Sequence, residues 1–340
     1  MKLWLNSIII SLICLIIAVN ISKSQHLDIY SFYGNNLYIP SIINIDDDIW
    51  FTTYLNGVRK LNLITNSFVE YIDEIPNYKN IVLTGNAKDA ENNLWLSSDK
   101  GLLRYQNNKF EEIQPLGVTL LYNSITSLKS DSKGKLWACS SFMQILSFEN
   151  NVWSNHDLFS ENTNYYITKM IIDNNDNLVL WVNEIGLVIY DGQTQKTYSE
   201  FHDTINENYV VDIQIDNNNT IYVIDSRLNI YYLKDNQILS LANSIIDSGN
   251  YMFWVSSSFD KNNKLLIGVN GLNIYDGTKW TIINRKNSDL TDTYFSKIYS
   301  INTIITGCLE NLQKYLKWKM TKFSKLIQTD LGCTEVLLVR

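Results

Sequence analysis

Residues 89–105 read Asp-Ala-Glu-Asn-Asn-Leu-Trp-Leu-Ser-Ser-Asp-Lys-Gly-Leu-Leu-Arg-Tyr. An aspartate opens a polar turn, and the strand Leu94-Trp95-Leu96 follows. A loop then leads to a glycine, an aliphatic residue and an aromatic residue three further on. The same arrangement recurs along the chain. Asp46 precedes Ile49-Trp50, Asp131 precedes Leu136-Trp137, and Asp173 precedes Leu178-Val179-Leu180. Asp216 precedes Ile221-Tyr222, and Asp260 precedes Leu265-Leu266. Successive aspartates are 43, 42, 42, 43 and 44 residues apart. The second signature recurs as Gly186-Leu187 to Tyr190 and Gly271-Leu272 to Tyr275. Variants are Gly57-Val58 to Leu61, Gln144-Ile145 to Phe148, Arg227-Leu228 to Tyr231 and Asn311-Leu312 to Tyr315, which brings the number of units to seven.

Each unit reads as four short strands. In the second, Ile81–Leu83 leads to Asp89, Leu94–Leu96 follows the turn, Leu102–Tyr105 is the third strand and Phe110–Ile113 the fourth. Asparagine, aspartate and glycine occupy the turns because they tolerate positive φ and bond their own backbone. Four strands every ~43 residues is the period of a propeller blade, and solenoids of similar period are helical. No 3.6-residue apolar pattern is present. The expected fold is therefore all-β, a seven-bladed β-propeller of four-stranded antiparallel blades, with residues 25–340 as one domain. Asp28–Tyr33 resembles a fourth strand without its first three and is expected to complete the last blade. Lys317–Phe323 competes for that place, and Cys333–Val339 is an alternative start of another unit.

Composition agrees. The chain has 340 residues, of which 45% are hydrophobic, with 21 tyrosines, 9 tryptophans and only 3 histidines. Aromatic and β-branched residues suit pleated, half-buried surfaces. A net charge of −7 argues against a nucleic-acid partner held through phosphates. Lys2, the aliphatic run Leu3–Val19 and the small residues at Ser22 and Ser24 read as a signal peptide over residues 1–24, cleaved before Gln25. The mature chain is then expected to be secreted or periplasmic, not membrane-spanning, and monomeric. Of the four cysteines, Cys14 leaves with the signal and Cys139, Cys308 and Cys333 are left, without the spacing of a zinc site. Cys308 and Cys333 are the nearer pair, with free buried thiols as the alternative.

The repeats resemble the two-component regulator propeller family. The resemblance rests on residues 89–102 and on Tyr275-Asp276-Gly277-Thr278-Lys279-Trp280 followed by Asn287-Ser288-Asp289-Leu290. It implies a propeller of the kind that forms the extracytoplasmic sensing part of bacterial histidine kinases. There an immunoglobulin-like domain, a membrane span and a kinase core commonly follow. The chain stops at residue 340, so a free-standing binding module or a shortened sensor is expected.

The repeated aspartates are expected to accept backbone N–H groups of their own turns and not to bind metal. Trp50, Trp95 and Trp137 are expected in the core, with Leu180, Tyr222 and Leu266 in the same slot elsewhere. A tyrosine precedes each first strand: Tyr38, Tyr78, Tyr122, Tyr166 (beside Tyr165), Tyr209, Tyr251 and Tyr294. Seven such rings would form a collar at the mouth of the central channel, suited to a carbohydrate, peptide or protein partner, unless each simply wedges between blades. No catalytic motif, metal set or cofactor is read from the chain. The competing reading, a propeller lyase or hydrolase, requires His156, His202 and acids to converge at one face.

Overall fold

The structure is a computed structural model. It describes residues 27–33, 39–309 and 333–339, apart from 55–56, 63, 66, 77–80, 116–123, 141–143, 160–164, 206–208, 242–254, 285, 288–294 and 302–303. The chain divides into two compact units, residues 39–253 and a second made of 1–38 with 254–340.

The first unit holds five four-stranded antiparallel sheets, each made of consecutive strands. The first blade comprises Ser41–Ile45, Asp48–Thr52, Val58–Asn62 and Phe68–Tyr71. The second comprises Leu83–Lys88, Leu94–Ser98, Gly101–Gln106 and Lys109–Ile113. The third, fourth and fifth begin at Ile125, Ile167 and Val210. In the second unit Ser256–Phe259, Leu265–Gly268, Leu272–Tyr275 and Trp280–Ile283 form a sixth blade of the same kind. The propeller of four-stranded blades is thus present, but six blades have the expected sequential form, where the repeat count predicts seven. The last strands are arranged otherwise. Phe295–Ile301 pairs with Ile304–Leu309, which pairs with Cys333–Val339, which pairs with Leu27–Tyr33. Leu27–Tyr33 is an outer strand, as its pattern predicts. The strand inside it is Cys333–Val339, which therefore starts no further unit. Lys317–Phe323 and Leu312–Tyr315 lie outside the described residues. Cys308 stands opposite Val336, three positions from Cys333 along the neighbouring strand. Three residues of strand span about 10 Å, beyond the Cα separation a disulfide bridges.

The blades are held by three repeated devices. The first is the turn between the first and second strands. Each carboxylate of Asp89, Asp131, Asp173, Asp216 and Asp260 accepts the backbone N–H groups two and four residues on, at 2.7–3.1 Å. The residue three on takes the left-handed conformation: Asn92, Gly134, Asp176, Asn219 and Asn263 have φ between 61° and 83°. These aspartates are turn chemistry, as their spacing implies. The second device links neighbouring turns. Ser132 donates its N–H and its hydroxyl to the Asp176 carboxylate at 2.8 and 2.7 Å. Asn174 donates its N–H to Asn219 Oδ1 at 2.7 Å. At Gly134 a Cβ would stand 2.3 Å from the Ala90 nitrogen, so only glycine fits both the positive φ and the close approach.

The third device is apolar. The second strands Leu94–Ser98, Leu136–Ser140 and Leu178–Val182 are buried throughout, while the fourth strand Lys109–Ile113 is mostly exposed. Hydrophobic clusters sit in the seams, each drawing residues from two adjacent blades. Trp50, Trp95 and Trp137 lie there at 4, 0 and 2% exposure, which makes them core. In the fourth blade the same register position is held by Val179, not Leu180, because Leu178 opens the strand as Leu94 and Leu136 do.

In the fifth blade the register differs by two residues from the sequence reading. Ile224 pairs with Ile230 as Trp181 pairs with Leu187. Asn229-Ile230 therefore holds the glycine-aliphatic slot, not Arg227-Leu228. A second aspartate turn explains the shift. Asp225 is fully buried and accepts the N–H groups of Arg227 and Asn229 at 2.9 and 2.8 Å, with Leu228 at φ +66°.

Candidate binding face at the blade entries

In the second, fourth and fifth blades the entry is pinned from the loop between the second and third strands. In the second blade Asp99 N–H donates to the Val82 carbonyl at 3.0 Å, and Val82 N–H donates to Asp99 Oδ1 at 2.8 Å. In the fourth, Asn183 N–H donates to the Tyr166 carbonyl at 3.1 Å and Asn183 Oδ1 accepts the Tyr166 N–H. In the fifth, Ser226 N–H donates to the Tyr209 carbonyl at 2.7 Å. The backbone at these positions is fixed while the tyrosine rings project outward: Tyr166 is 45% exposed and Tyr209 62%. Tyrosine loses little entropy on binding and offers an apolar face with a polar tip. Two such side chains occupy equivalent positions on adjacent blades of one unit.

Tyr38, Tyr78, Tyr122, Tyr251 and Tyr294 lie outside the described residues. The register does show that the slot of Tyr166 and Tyr209 is held by Val82 in the second blade and Ser124 in the third. Tyr78 and Tyr122 precede that slot by four and two residues. Tyr165, beside Tyr166, is half-buried against the core between the third and fourth blades.

His156 is part of a constellation that linear reading misses. It closes the fourth strand of the third blade, in the register position held by Tyr71, Ile113 and Tyr198 in other blades. Its Nε2 lies 2.8 Å from Ser147 Oγ and its Nδ1 3.1 Å from the Tyr190 hydroxyl. Tyr190 donates to the Gly192 carbonyl at 2.7 Å. That leaves the Tyr190 oxygen to accept, so Nδ1 carries the proton and Nε2 accepts from Ser147. Burial lowers the His156 pKa, with the Lys135 charge acting in the same sense. The chain of groups spans two blades and lies against Trp137, with the His156 ring tilted 45° to it and 4.9 Å between ring centroids. A serine with a histidine acceptor has the form of an activated nucleophile. Ser147, however, is only 3% exposed. The arrangement works as a polar clip across the seam. His202 lies on the helix Glu200–Ile205, and its side chain is outside the described residues. Among the described residues no group of three histidines, cysteines or acids is placed to hold a metal ion, and no helix is long and apolar enough to cross a membrane.

No protein-family model and no curated protein sequence matches the chain. Solved structures do. A catalytically inactive virginiamycin B lyase from Staphylococcus aureus, crystallised with quinupristin, superposes with a TM-score of 0.66 at 10% identity, over 92% of this chain and 99% of that one. The fold is that of a β-propeller. The extracellular domain assigned to a hybrid two component system of B. thetaiotaomicron gives a TM-score of 0.64 at 16% identity, over 90% of this chain but 40% of that one. YCF48 bound to D1 peptide gives 0.66 at 10% identity, over 93% and 96%. A lyase, a sensor ectodomain and a peptide-bound propeller thus share this architecture, and identities this low establish the fold alone.

Proposed function

We propose that the chain is an extracytoplasmic binding or sensing module, entering the export pathway through residues 1–24 and engaging a peptide, protein or carbohydrate through the face at the blade entries. The observation that carries this reading is the pair Tyr166 and Tyr209. Each is a large exposed ring on a backbone bonded to the loop between the second and third strands of its blade, a pre-organised anchor of the sort that dominates recognition surfaces. The likeness to a propeller bound to a peptide and to the extracellular domain of a two component system supports a binding role in general terms. The test is a screen of the full chain against peptide and glycan arrays, repeated with Tyr166→Ala/Tyr209→Ala. Loss of at least tenfold in affinity at unchanged melting temperature supports the reading. Chemical conversion of the bound compound by the unaltered protein would replace it with a catalytic one.

A further inference from the structure

The first blade breaks the turn rule, and the break opens a cavity. In the second to fifth blades five residues join the first strand to the second, and neighbouring turns touch. The residue after each turn aspartate meets the left-handed residue of the next blade: Ser132 meets Asp176, Asn174 meets Asn219, and Ala90 meets Gly134. In the first blade Ile45 pairs directly with Asp48, so only Asp46 and Asp47 make the turn. No residue is available there to reach Asn92, the left-handed residue of the second blade. A cleft of about 320 Å³ lies in that place, between the turn of the first blade and the two hairpins of the second. This is at the lower end of small-molecule sites, roughly 300–1,000 Å³. It lies at the opposite end of the first strands from Tyr166 and Tyr209 and shares no residue with that face.

The lining defines a ligand chemistry. Five carboxamides line the cleft, from Asn92, Asn93, Gln106, Asn107 and Asn108; Asn93 Nδ2 already donates to Asp89 at 2.9 Å, and the Oδ1 atoms of Asn92 and Asn108 already accept from Lys88 and Tyr105 at 3.1 and 3.2 Å. A carboxamide donates and accepts at once, which matches hydroxyl groups that do the same. The carboxylates and ammonium groups at the cleft balance two against two: Asp46 and Asp48 line it with Lys60, whose Nζ is 3.2 Å from Asp48 Oδ2, and Lys88 Nζ donates to the lining Asn92 Oδ1 at 3.1 Å. An anion would face Asp46 and Asp48, and a cation would face Lys60, so a net charge of either sign is disfavoured. Trp50 and Tyr105 supply aromatic edges. The Tyr105 hydroxyl, with its pKa raised to about 12 chiefly by burial, stays protonated and remains a hydrogen-bonding group beside Asn108 at 3.2 Å.

We propose that this cleft, created by the shortened Asp46-Asp47 turn, binds a neutral saccharide unit through paired amide–hydroxyl hydrogen bonds. The experiment is saturation-transfer NMR and calorimetric titration of the full chain with D-glucose, D-galactose, D-xylose and N-acetyl-D-glucosamine. D-glucuronate and D-glucosamine serve as anionic and cationic comparators. Three variants accompany it: Asn92→Leu, Gln106→Ala, and a graft of the Asp89–Asn93 turn in place of Asp46-Asp47 to fill the cleft. The expected result is binding of at least one neutral sugar, weakened at least tenfold by the graft and by Asn92→Leu and about threefold by Gln106→Ala. Gln106 is partly exposed, so its variant reads the site even if the graft fails to fold. Absence of binding by all four sugars, tighter binding of a charged comparator, or affinity unchanged in the folded variants would each overturn the proposal.

Discussion

Replacing Asp89 by alanine tests the turn chemistry where it is most heavily used. The carboxylate accepts from the backbone of Glu91 and Asn93 at 3.1 and 2.8 Å, from the Asn93 amide, and from Trp95 Nε1 at 2.7 Å. Trp95 is fully buried, so its indole N–H would be left without a partner at a cost of about 1–3 kcal/mol. The two turn N–H groups lie nearer solvent and add about 0.5–1.5 kcal/mol each. The sum is about 2–6 kcal/mol, a large share of the ~5–15 kcal/mol that stabilises a typical domain. Asp131 provides the control. It accepts only the N–H groups of Lys133 and Lys135, and Trp137 Nε1 is buried without a hydrogen-bond partner. Its loss should cost about 1–3 kcal/mol. Urea unfolding at pH 7, followed by far-ultraviolet circular dichroism and tryptophan fluorescence, reads both, provided the two probes coincide. Asp89→Ala should lose about 2 kcal/mol more than Asp131→Ala. A double-mutant cycle with Trp95→Phe should recover a coupling energy of the same size. Equal losses for the two aspartates, or zero coupling, would refute the reasoning.

Three further outcomes are expected. His156 binds its proton less tightly in the folded chain than in the unfolded one, whose value is about 6.5. Its contribution to stability is therefore full above about pH 6.5 and is lost as pH falls through the lower folded value. His156→Gln should flatten that part of a stability–pH profile, and an unchanged slope would contradict the assignment. Cys139 is buried, with its thiol pushed up to about 12 by desolvation, so a thiol reagent with peptide mapping should label it only in denaturant, and prompt native labelling would be inconsistent with the seam. Gly134→Ala meets both an unfavourable φ of +83° and the Ala90 backbone and should cost about 2 kcal/mol or more. A shift in midpoint worth under about 0.5 kcal/mol, the usual surface value, would show that the second and third turns do not touch.

The repeat was legible because its most regular part is its turn. An aspartate that accepts two N–H groups leaves a spacing that survives wide variation in the strands; five such aspartates, with Asp46 in the shortened first turn, mark the six sequential blades. Beyond the sixth blade the chain carries no such mark, and there it pairs its first described strand with its last. Errors of register arose in strands buried along their whole length. Leu178–Val182 shows no polar alternation that would fix which residue faces which seam, so Leu180 and Val179 look equivalent in sequence. Arg227-Leu228 misled for a different reason: Asp225 builds a second aspartate turn within the same blade, where the repeat elsewhere has a glycine. The candidate sites were less legible. His156 reads as an isolated histidine because its partners lie 9 and 34 residues away: Ser147 meets it across a strand pair of its own blade, and Tyr190 only when two blades pack. The polar cleft left one visible trace, the dense Asp46-Asp47-Asp48 run, which is where the turn is short.

The most direct test of the central claim is equilibrium binding of the array-selected ligand to the unaltered chain and to Tyr166→Ala/Tyr209→Ala, measured by calorimetry alongside thermal melting. Two exposed aromatic anchors at a hot spot account for about 2 kcal/mol or more of a binding free energy, so affinity should fall at least tenfold while the melting temperature holds. Equal affinity in the two proteins would contradict a recognition face at the blade entries.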